Sequence, residues 1–547
     1  MTEQQAVDLR GIVKKYDVRG VAGTELTEEI ARALGAAFAD LLNGAPIIVA
    51  HDMRVSSPAL AAAVAEGAAR RGSTVAEAGL SSTDQLYCAS GQHDAAGVMV
   101  TASHNPAPDN GLKLTRAGAR AISRETGLED VRRGAEAYLA AGVIPEREGG
   151  RRAPLDTLED YTALLHRLVP LGGRRRLRVV VDAADAMASL TVPAVLGTLE
   201  HLDVVPLHFG LDGTFPHHPA NPLDPANLVD LRDAVLAAGA DLGLAFDGDA
   251  DRCVVLDEQG RPVDPSAVTA LIAGREIARA RAAGEERPVV VANLVSSRHV
   301  AEVIAAAGGE AVRSPVGHSL IKAIMAERSA VFGGEHSAHY YFRDFFFADS
   351  GLLAALHVLA ALEESDGPLS ALVAEHQPYA ASGELNTTVA DPSAARERVR
   401  AALGARPGVE ADDLDGLTLT HWGEDVPAAE RWWLSLRSSN TEPLLRLNVE
   451  AEEATLMESV RDEVLAIITD ADAGDAAGAG AGSSLPAGAS GVDVPSWVRA
   501  VLRCPDCGGS LQDATAGLRC EACGRVHAVE GGIPVLIAGR AEAPDGA

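Results

Sequence analysis

The strongest constraint on how this chain folds is a repeated alternation. Short apolar runs of strand length, among them "APIIVAHD", "LRVVVDAADA" and "RPVVVANLV", each give way to an Ala-rich or amphipathic helical stretch. Strands buried on both faces and followed by helices mark βα units, because parallel neighbours need a crossover connection. Three rounds of similar size predict three successive α/β domains over residues 1–150, 151–258 and 259–375. From 380 to 469 the order becomes strand, helix, two strands, helix, which predicts a small α+β fourth domain. The stretch "DADAGDAAGAGAGSSLPAGASG" has no apolar face, so 470–495 is expected to be a flexible linker. Residues 496–541 then form a minidomain too small to rest on a core alone.

Composition narrows the function. The 547 residues carry a formal net charge of −30, which repels nucleic acid and phosphate at long range. No nucleic acid is expected at the active site, and any phosphate must be held by a locally built cluster of cations and amides. No apolar run is long enough for a membrane span, and the N-terminal stretch "MTEQQAVDLRGIVKK" has no apolar signal region; a cytoplasmic protein with no membrane partner is expected. Arg supplies nearly all the positive charge. The lysines are Lys14, Lys15, Lys113 and Lys322, all in or beside the motifs below. Cys88 and Cys253 read as core residues. Cys504, Cys507, Cys520 and Cys523 form C-x2-C-x12-C-x2-C, the spacing of a structural zinc site.

Five stretches carry chemistry. "VMVTASHNP" is a buried strand that stops on Ser103, His104 and Asn105, with Lys113 close behind in "DNGLKL". Its serine is either a strand-end cap for loose backbone groups or a reactive hydroxyl. Asp247, Asp249 and Asp251 alternate in "DGDADR" and make a cage of hard oxygens suited to Mg2+. An EF-hand shares that alternation, but Arg252 stands where its sharp turn needs Gly, and strand-like runs flank the loop. In "GEHSAH", Glu335, Ser337 and His339 alternate at a strand end, where a carboxylate and a hydroxyl on one side suit vicinal sugar hydroxyls; a polar turn is the competing reading. Upstream, Gly317 and His318 precede a helix. "RSSNT" offers Arg437, Ser439, Asn440 and Thr441 either as a phosphate cradle or as an ordinary hairpin loop. Tyr16 and Arg19 in "KKYDVRG" stand near the N-terminus, where they are able to close a site.

With these motifs in order, residues 10–469 resemble the α-D-phosphohexomutase family; "TASHNPAPDNGLKL", "DGDADR", "GEHSAH", "RSSNTEP" and "DGTFPHHPANPL" carry the likeness. The resemblance implies four domains around one central cleft and an isomerase that moves phosphate within a hexose phosphate. It implies that Ser103 carries the transferable phosphate, that Asp247, Asp249 and Asp251 hold Mg2+ against it, and that Glu335 and Ser337 grip the sugar. Arg437, Ser439, Asn440 and Thr441 would bind the phosphate that is not reacting. Tyr16, Arg19, His104, Lys113, Arg252, Gly317, His318 and His339 would contact substrate or assist proton transfer, with hexose 1,6-bisphosphate as activator. "GEHSAH" is more like the mannose/glucose pattern than the glucosamine one, so mannose is favoured over glucose or glucosamine. One departure stands out: Val295 in "NLVSSR" replaces a lysine of many relatives, which leaves His104, His318 or Arg298 to cover proton transfer. The terminal module resembles the zinc ribbon of tRNA-methyltransferase activators and is a candidate dock for a protein partner. The rival readings are a Mg2+-dependent sugar-phosphate phosphatase and a zinc-ribbon interaction protein.

Overall fold

The first expected α/β unit is a seven-stranded sheet in the computed structural model, which describes residues 7–438 and 444–478. Toward the C-terminus it also describes 503–504, 507, 509–514, 517–523, 525–527, 529–530 and 533–534. The sheet runs Val18–Val21, Asp109–Arg116, Ala96–Val100, Ile47–His51, Thr74–Leu80 and Arg151–Pro154, with Arg120–Ala121 at the side of Asp109–Arg116. Its centre is parallel: Ile47–His51 pairs in register with Ala96–Val100 on one side and, with a register shift between Val49 and Ala50, with Thr74–Leu80 on the other. Between the two strands read from sequence lie a further strand, Thr74–Leu80, and a helix, Thr83–Gln92. Arg151–Pro154 also pairs with Thr74–Glu77, so the first sheet extends past the expected boundary at 150. The helices Glu28–Leu41 and Ser57–Arg70 cross where a Cβ on Gly35 would sit 2.3 Å from the Val64 carbonyl oxygen, so only glycine permits the approach.

The second sheet orders Cys253–Asp257, Leu242–Phe246, Leu177–Asp182 and Leu202–Leu207. The flanks of the Asp247–Asp251 loop are therefore antiparallel strands, and the EF-hand is excluded. The third sheet orders Glu310–Ser314, Val289–Asn293, Phe332–Gly334, Tyr340–Phe342 and Ala348–Asp349. The fourth is antiparallel and carries a hairpin absent from the sequence expectation, Glu410–Asp412 with Leu417–His421, before Trp432–Ser438 and Leu444–Ala451. "LTLTH" is a strand because Leu417 and Leu419 face the core against Leu434 and Leu436, an alternation short enough to miss.

The chain divides into two units, 1–472 and 473–547. The helix Ala454–Gly478 corrects the expected linker: residues 470–478 continue the helix, since alanine is the best helix former even without an apolar face to bury. The rest of the expected linker lies outside the described residues. In the second unit Leu511–Ala514, Gly517–Cys520 and Val526–His527 form a three-stranded sheet. Among the described residues no helix is long and apolar enough to cross a membrane.

Candidate active site

Ser103 lies just beyond the strand Ala96–Val100 with a left-handed φ of 50°, a conformation that a serine adopts only when its surroundings enforce it. The enforcement is visible. The Ser103 amide donates to Thr101 Oγ1 at 2.9 Å. The Arg54 guanidinium donates to the carbonyls of Ser103 (2.8 Å), Asn105 (2.7 Å), Pro106 (2.8 Å) and Asp109 (3.0 Å). Arg54 is only 1% exposed and pairs with buried Asp52 at 3.2 Å. The loop around Ser103 is thus wrapped on one buried fork that no sequence motif announced.

Ser103 Oγ donates to Asp247 Oδ2 at 2.8 Å, across from the first domain to the second. Asp247, Asp249 and Asp251 are buried, and their carboxylate oxygens lie within 4.8 Å of one another. Lys113 Nζ reaches Asp249 Oδ2 and Asp251 Oδ2, both at 2.6 Å. Thr83 Oγ1 also donates to Asp249. Burial and the other two carboxylates push Asp247 well above the usual carboxylate range. Burial acts the same way on Asp251, but Lys113, His339 and Arg252 outweigh it and hold its carboxyl low. Asp249 Oδ1 and Asp251 Oδ1 are buried without a hydrogen-bond partner. Oxygens left bare in this way fit a hard cation, so the donor set suits Mg2+.

Arg252 ties three motifs together. Its Nε donates to His339 Nε2 at 3.2 Å, its Nη2 lies 3.0 Å from His104 Nδ1, and its backbone bridges to His339. The Arg252 charge and then burial push His104 down to about 2, since both disfavour an imidazolium there. Arg19 donates from Nε to Asp17 at 2.7 Å, while its buried Nη1 has no hydrogen-bond partner.

The third motif departs from the expected strand end. The strand stops at Gly334, and Ala338 at φ 61° turns the chain, which breaks the alternation. Glu335 is buried: Oε1 accepts from the Gly317 amide at 3.1 Å and Oε2 from the Tyr341 hydroxyl at 2.7 Å. Ser337 Oγ meets His339 Nδ1 at 2.9 Å. His339 in turn lies 3.6 Å from Asp251 and 4.0 Å from Asp349. Lys322, on the helix His318–Arg328, pairs with Asp349 at 2.6 Å and lies 4.0 Å above the Tyr87 ring. Three of the chemistry-bearing loops therefore turn on a left-handed non-glycine residue, at Ser103, Ala250 and Ala338.

In the fourth domain, Arg437 pairs with Asp415 at 3.3 Å and lies 3.7 Å from Glu384. Asp415 also accepts from the Val316 amide at 3.1 Å, and a Cβ on neighbouring Gly317 would stand 3.3 Å from the Tyr16 hydroxyl. Ser439, Asn440 and Thr441 lie outside the described residues, as does the His318 side chain. Val295 is buried. Arg298 is engaged elsewhere, with Glu302 at 3.4 Å, the Trp422 ring at 5.3 Å and its amide on Glu450.

In the second unit the Cys504, Cys507, Cys520 and Cys523 sulfurs lie within 4.8 Å of one another, a four-thiolate donor set suited to zinc. His527 Nε2 stands 3.3 Å from Cys504 Sγ.

Four phosphoglucomutase/phosphomannomutase models match this chain in order: α/β/α domain I at 10–138, domain II at 160–260, domain III at 264–379 and the C-terminal domain at 384–467. The chain belongs to the α-D-phosphohexomutase family and is an isomerase, an intramolecular phosphotransferase. Members of this superfamily generally depend on Mg2+. A phosphomannomutase of Salmonella montevideo is 37% identical over 464 residues, covering 83% of this chain and 98% of that protein. A Xanthomonas campestris protein described as phosphohexose mutases is 38% identical over 457 residues, covering 82% and 97%. The crystal structure of a Burkholderia thailandensis phosphoglucomutase/phosphomannomutase family protein superposes with a TM-score of 0.73 at 27% identity, covering 86% of this chain and 99% of that one.

Proposed function

We propose that this protein interconverts mannose 6-phosphate and mannose 1-phosphate through a phosphorylated Ser103 and a hexose 1,6-bisphosphate. The observation that carries the reading is Ser103 Oγ at 2.8 Å from Asp247, within a buried aspartate triad, in a chain 37% identical to a curated phosphomannomutase. Glucose phosphates are a second substrate class, favoured by the likeness to the phosphoglucomutase/phosphomannomutase family protein of Burkholderia thailandensis.

In the forward step the bond between the phosphorus and the Ser103 oxygen breaks. A bond from that phosphorus to the free sugar hydroxyl forms, and the hydroxyl proton ends on Ser103 Oγ. The bisphosphate turns over, and its other phosphoryl group returns to Ser103. Asp247, Asp249 and Asp251 would hold Mg2+, which when bound neutralises charge on the phosphoryl oxygens. Lys113 brings a fixed positive charge to the same place. Arg19 offers a spare buried donor, and Arg252 holds His104 and His339 in one orientation. Glu335 and Ser337 would take the sugar hydroxyls, with Gly317 and His318 beside them. Arg437 with Ser439, Asn440 and Thr441 would hold the far phosphate, and Tyr16 would close over it. In place of the lysine missing at 295, His104, His318 or Arg298 would assist proton transfer.

The functional domains are read as 1–154, 155–258, 259–375 and 380–469, with the four-cysteine module at 496–541 holding structural zinc and facing a protein partner in the cytoplasm. The test is a comparison of rates with mannose 1-phosphate and glucose 1-phosphate, in Mg2+ and a trace of hexose 1,6-bisphosphate. Formation of 6-phosphates without release of inorganic phosphate supports the mutase, and a higher rate with mannose 1-phosphate supports the sugar. Phosphate release alone would point to a phosphatase.

A further inference from the structure

Outside the active site, the second domain gathers three histidines and three aspartates, of which Asp230 Oδ2 faces His208 Nε2 at 3.2 Å. The carboxylates of Asp182 and Asp185 end the strand Leu177–Asp182 and start the following turn. His208 lies at the end of Leu202–Leu207, and His217 and His218 come from "DGTFPHHPANPL". Asp182, His208 and His218 offer ligand atoms within 4.8 Å of one another, and so do Asp185, His208 and His217. Asp182 is 1% exposed, and the His208 and His218 side chains are 10% and 14% exposed.

The hydrogen bonds set the chemistry. His218 Nδ1 lies 2.9 Å from the Pro219 carbonyl, which only accepts, so Nδ1 carries the proton. The lone pair of the neutral ring is then on Nε2, and Nε2 faces Asp182 Oδ2 at 3.0 Å. A lone pair and a carboxylate do not face each other at that distance without a positive charge between or on them. The carboxylates are fixed from behind: Asp182 Oδ1 accepts from the Ala184 amide at 2.9 Å and Asp185 Oδ1 from the Gly210 amide at 3.1 Å. Asp185 Oδ2 faces His217 Nδ1 at 2.6 Å. Ala184, Asp185 and His208 all hold left-handed φ, between 49° and 54°, a strain the fold maintains to aim these groups.

We propose that Asp182, His208 and His218 bind a divalent transition-metal ion of the zinc class, with Asp185 and His217 lining the same site. Two imidazoles and a carboxylate select such an ion over Mg2+, and the backbone carbonyl behind His218 is the outer partner that ligating histidines use. The site is distinct from the Asp247–Asp251 cage and from the four cysteines. It braces the wall of the catalytic loop: Ala220 lies beside Gly248, where a Cβ would come within 2.3 Å of the Ser103 carbonyl oxygen, and the Met187 amide donates to the Gly248 carbonyl. The competing occupant of the gap is a second proton on His218. Burial lowers its pKa, but Asp182 and the Pro219 carbonyl more than offset this and raise it.

The experiment uses the full chain carrying Cys504→Ser and Cys507→Ser, so that the cysteine module does not report. Zinc content by plasma mass spectrometry and melting temperature with and without added Zn2+ are compared with the same chain also carrying His208→Ala, or Asp182→Asn. The expected result is one equivalent of zinc and a rise in melting temperature with Zn2+, both lost in each variant. A circular-dichroism spectrum matching the parent shows that each variant is folded; should one unfold, the parent's own zinc content and melting shift decide. A parent that holds no zinc and shows no shift overturns the proposal in favour of the proton, and so does zinc retained by folded variants.

Discussion

Arg54 Nη2 donates to the Ser103 carbonyl oxygen at 2.8 Å, and the same guanidinium closes on three further carbonyls of that loop. Ser103, the proposed carrier of the phosphate, is therefore held from behind by a buried fork contributed by a distant part of the chain. Arg54→Lys keeps the charge but not the fork. Each stranded carbonyl costs about 1–3 kcal/mol in a buried setting. The variant is expected to melt several degrees lower, and the loosened loop to lower kcat by about 100-fold, the usual cost of an ångström of misplacement. Steady-state rates and thermal melts check both.

Ser103→Ala is expected to abolish mutase turnover while leaving the melting temperature close to that of the parent. The side chain makes one strong hydrogen bond, to Asp247, and its backbone contacts survive the change. Incubation with labelled hexose 1,6-bisphosphate should label the parent and leave the variant unlabelled. Near-normal turnover in the variant would refute the phosphoserine.

Lys113 brings its single positive charge to two of the three buried carboxylates, at 2.6 Å from each. Lys113→Met leaves them without that charge. Breaking a buried pair by removing one partner costs about 3–5 kcal/mol. A lower melting temperature in chelator is expected, with a larger rise on adding Mg2+ than the parent shows, because the ion then supplies the missing charge. Equal Mg2+ shifts in parent and variant would count against the cage.

His357 is buried against Phe342, with ring centroids 5.2 Å apart. Its Nε2 lies 3.5 Å from Glu276, which would favour the charged ring, but Arg279 already holds that carboxylate at 2.6 Å. Burial, followed by the charges of Arg275 and Arg279, pushes His357 down to about 3. The unfolded chain takes up the proton near pH 6.5 and the folded chain does not, so stability falls as pH drops below that value. At about pH 5 the loss from this group is about 2 kcal/mol. His357→Leu should melt with a flatter pH dependence than the parent between pH 7.5 and 5; identical slopes would show that the histidine does not titrate in this way.

The strands of the chemistry-bearing loops were legible in the sequence because they are buried on both faces and read as unbroken apolar runs. The aspartate triad was legible because carboxylates alternating in so short a loop need a cation. Thr74–Leu80 and the helix Thr83–Gln92 were not, since neither has a clean period: the strand carries Glu77 in its middle, and the helix is buried on all sides with Asp84 and Gln85 inside. Besides its near neighbour Ser82, Asp84 is satisfied by Tyr161 and Ser350 from elsewhere in the fold, two partners that no local pattern shows.

By itself the sequence determined which residues carry chemistry and the order of the α/β units, because side-chain type and hydrophobic period are local properties. The tertiary structure decided how those residues are held. Arg54 behind Ser103, Arg252 between His104 and His339, and Lys322 on Asp349 join residues far apart in the chain. The left-handed backbone at Ser103, Ala250 and Ala338 was likewise decided only there. A strained turn costs free energy locally and is offset by packing and hydrogen bonds from distant parts of the chain, so it exists only in the folded structure.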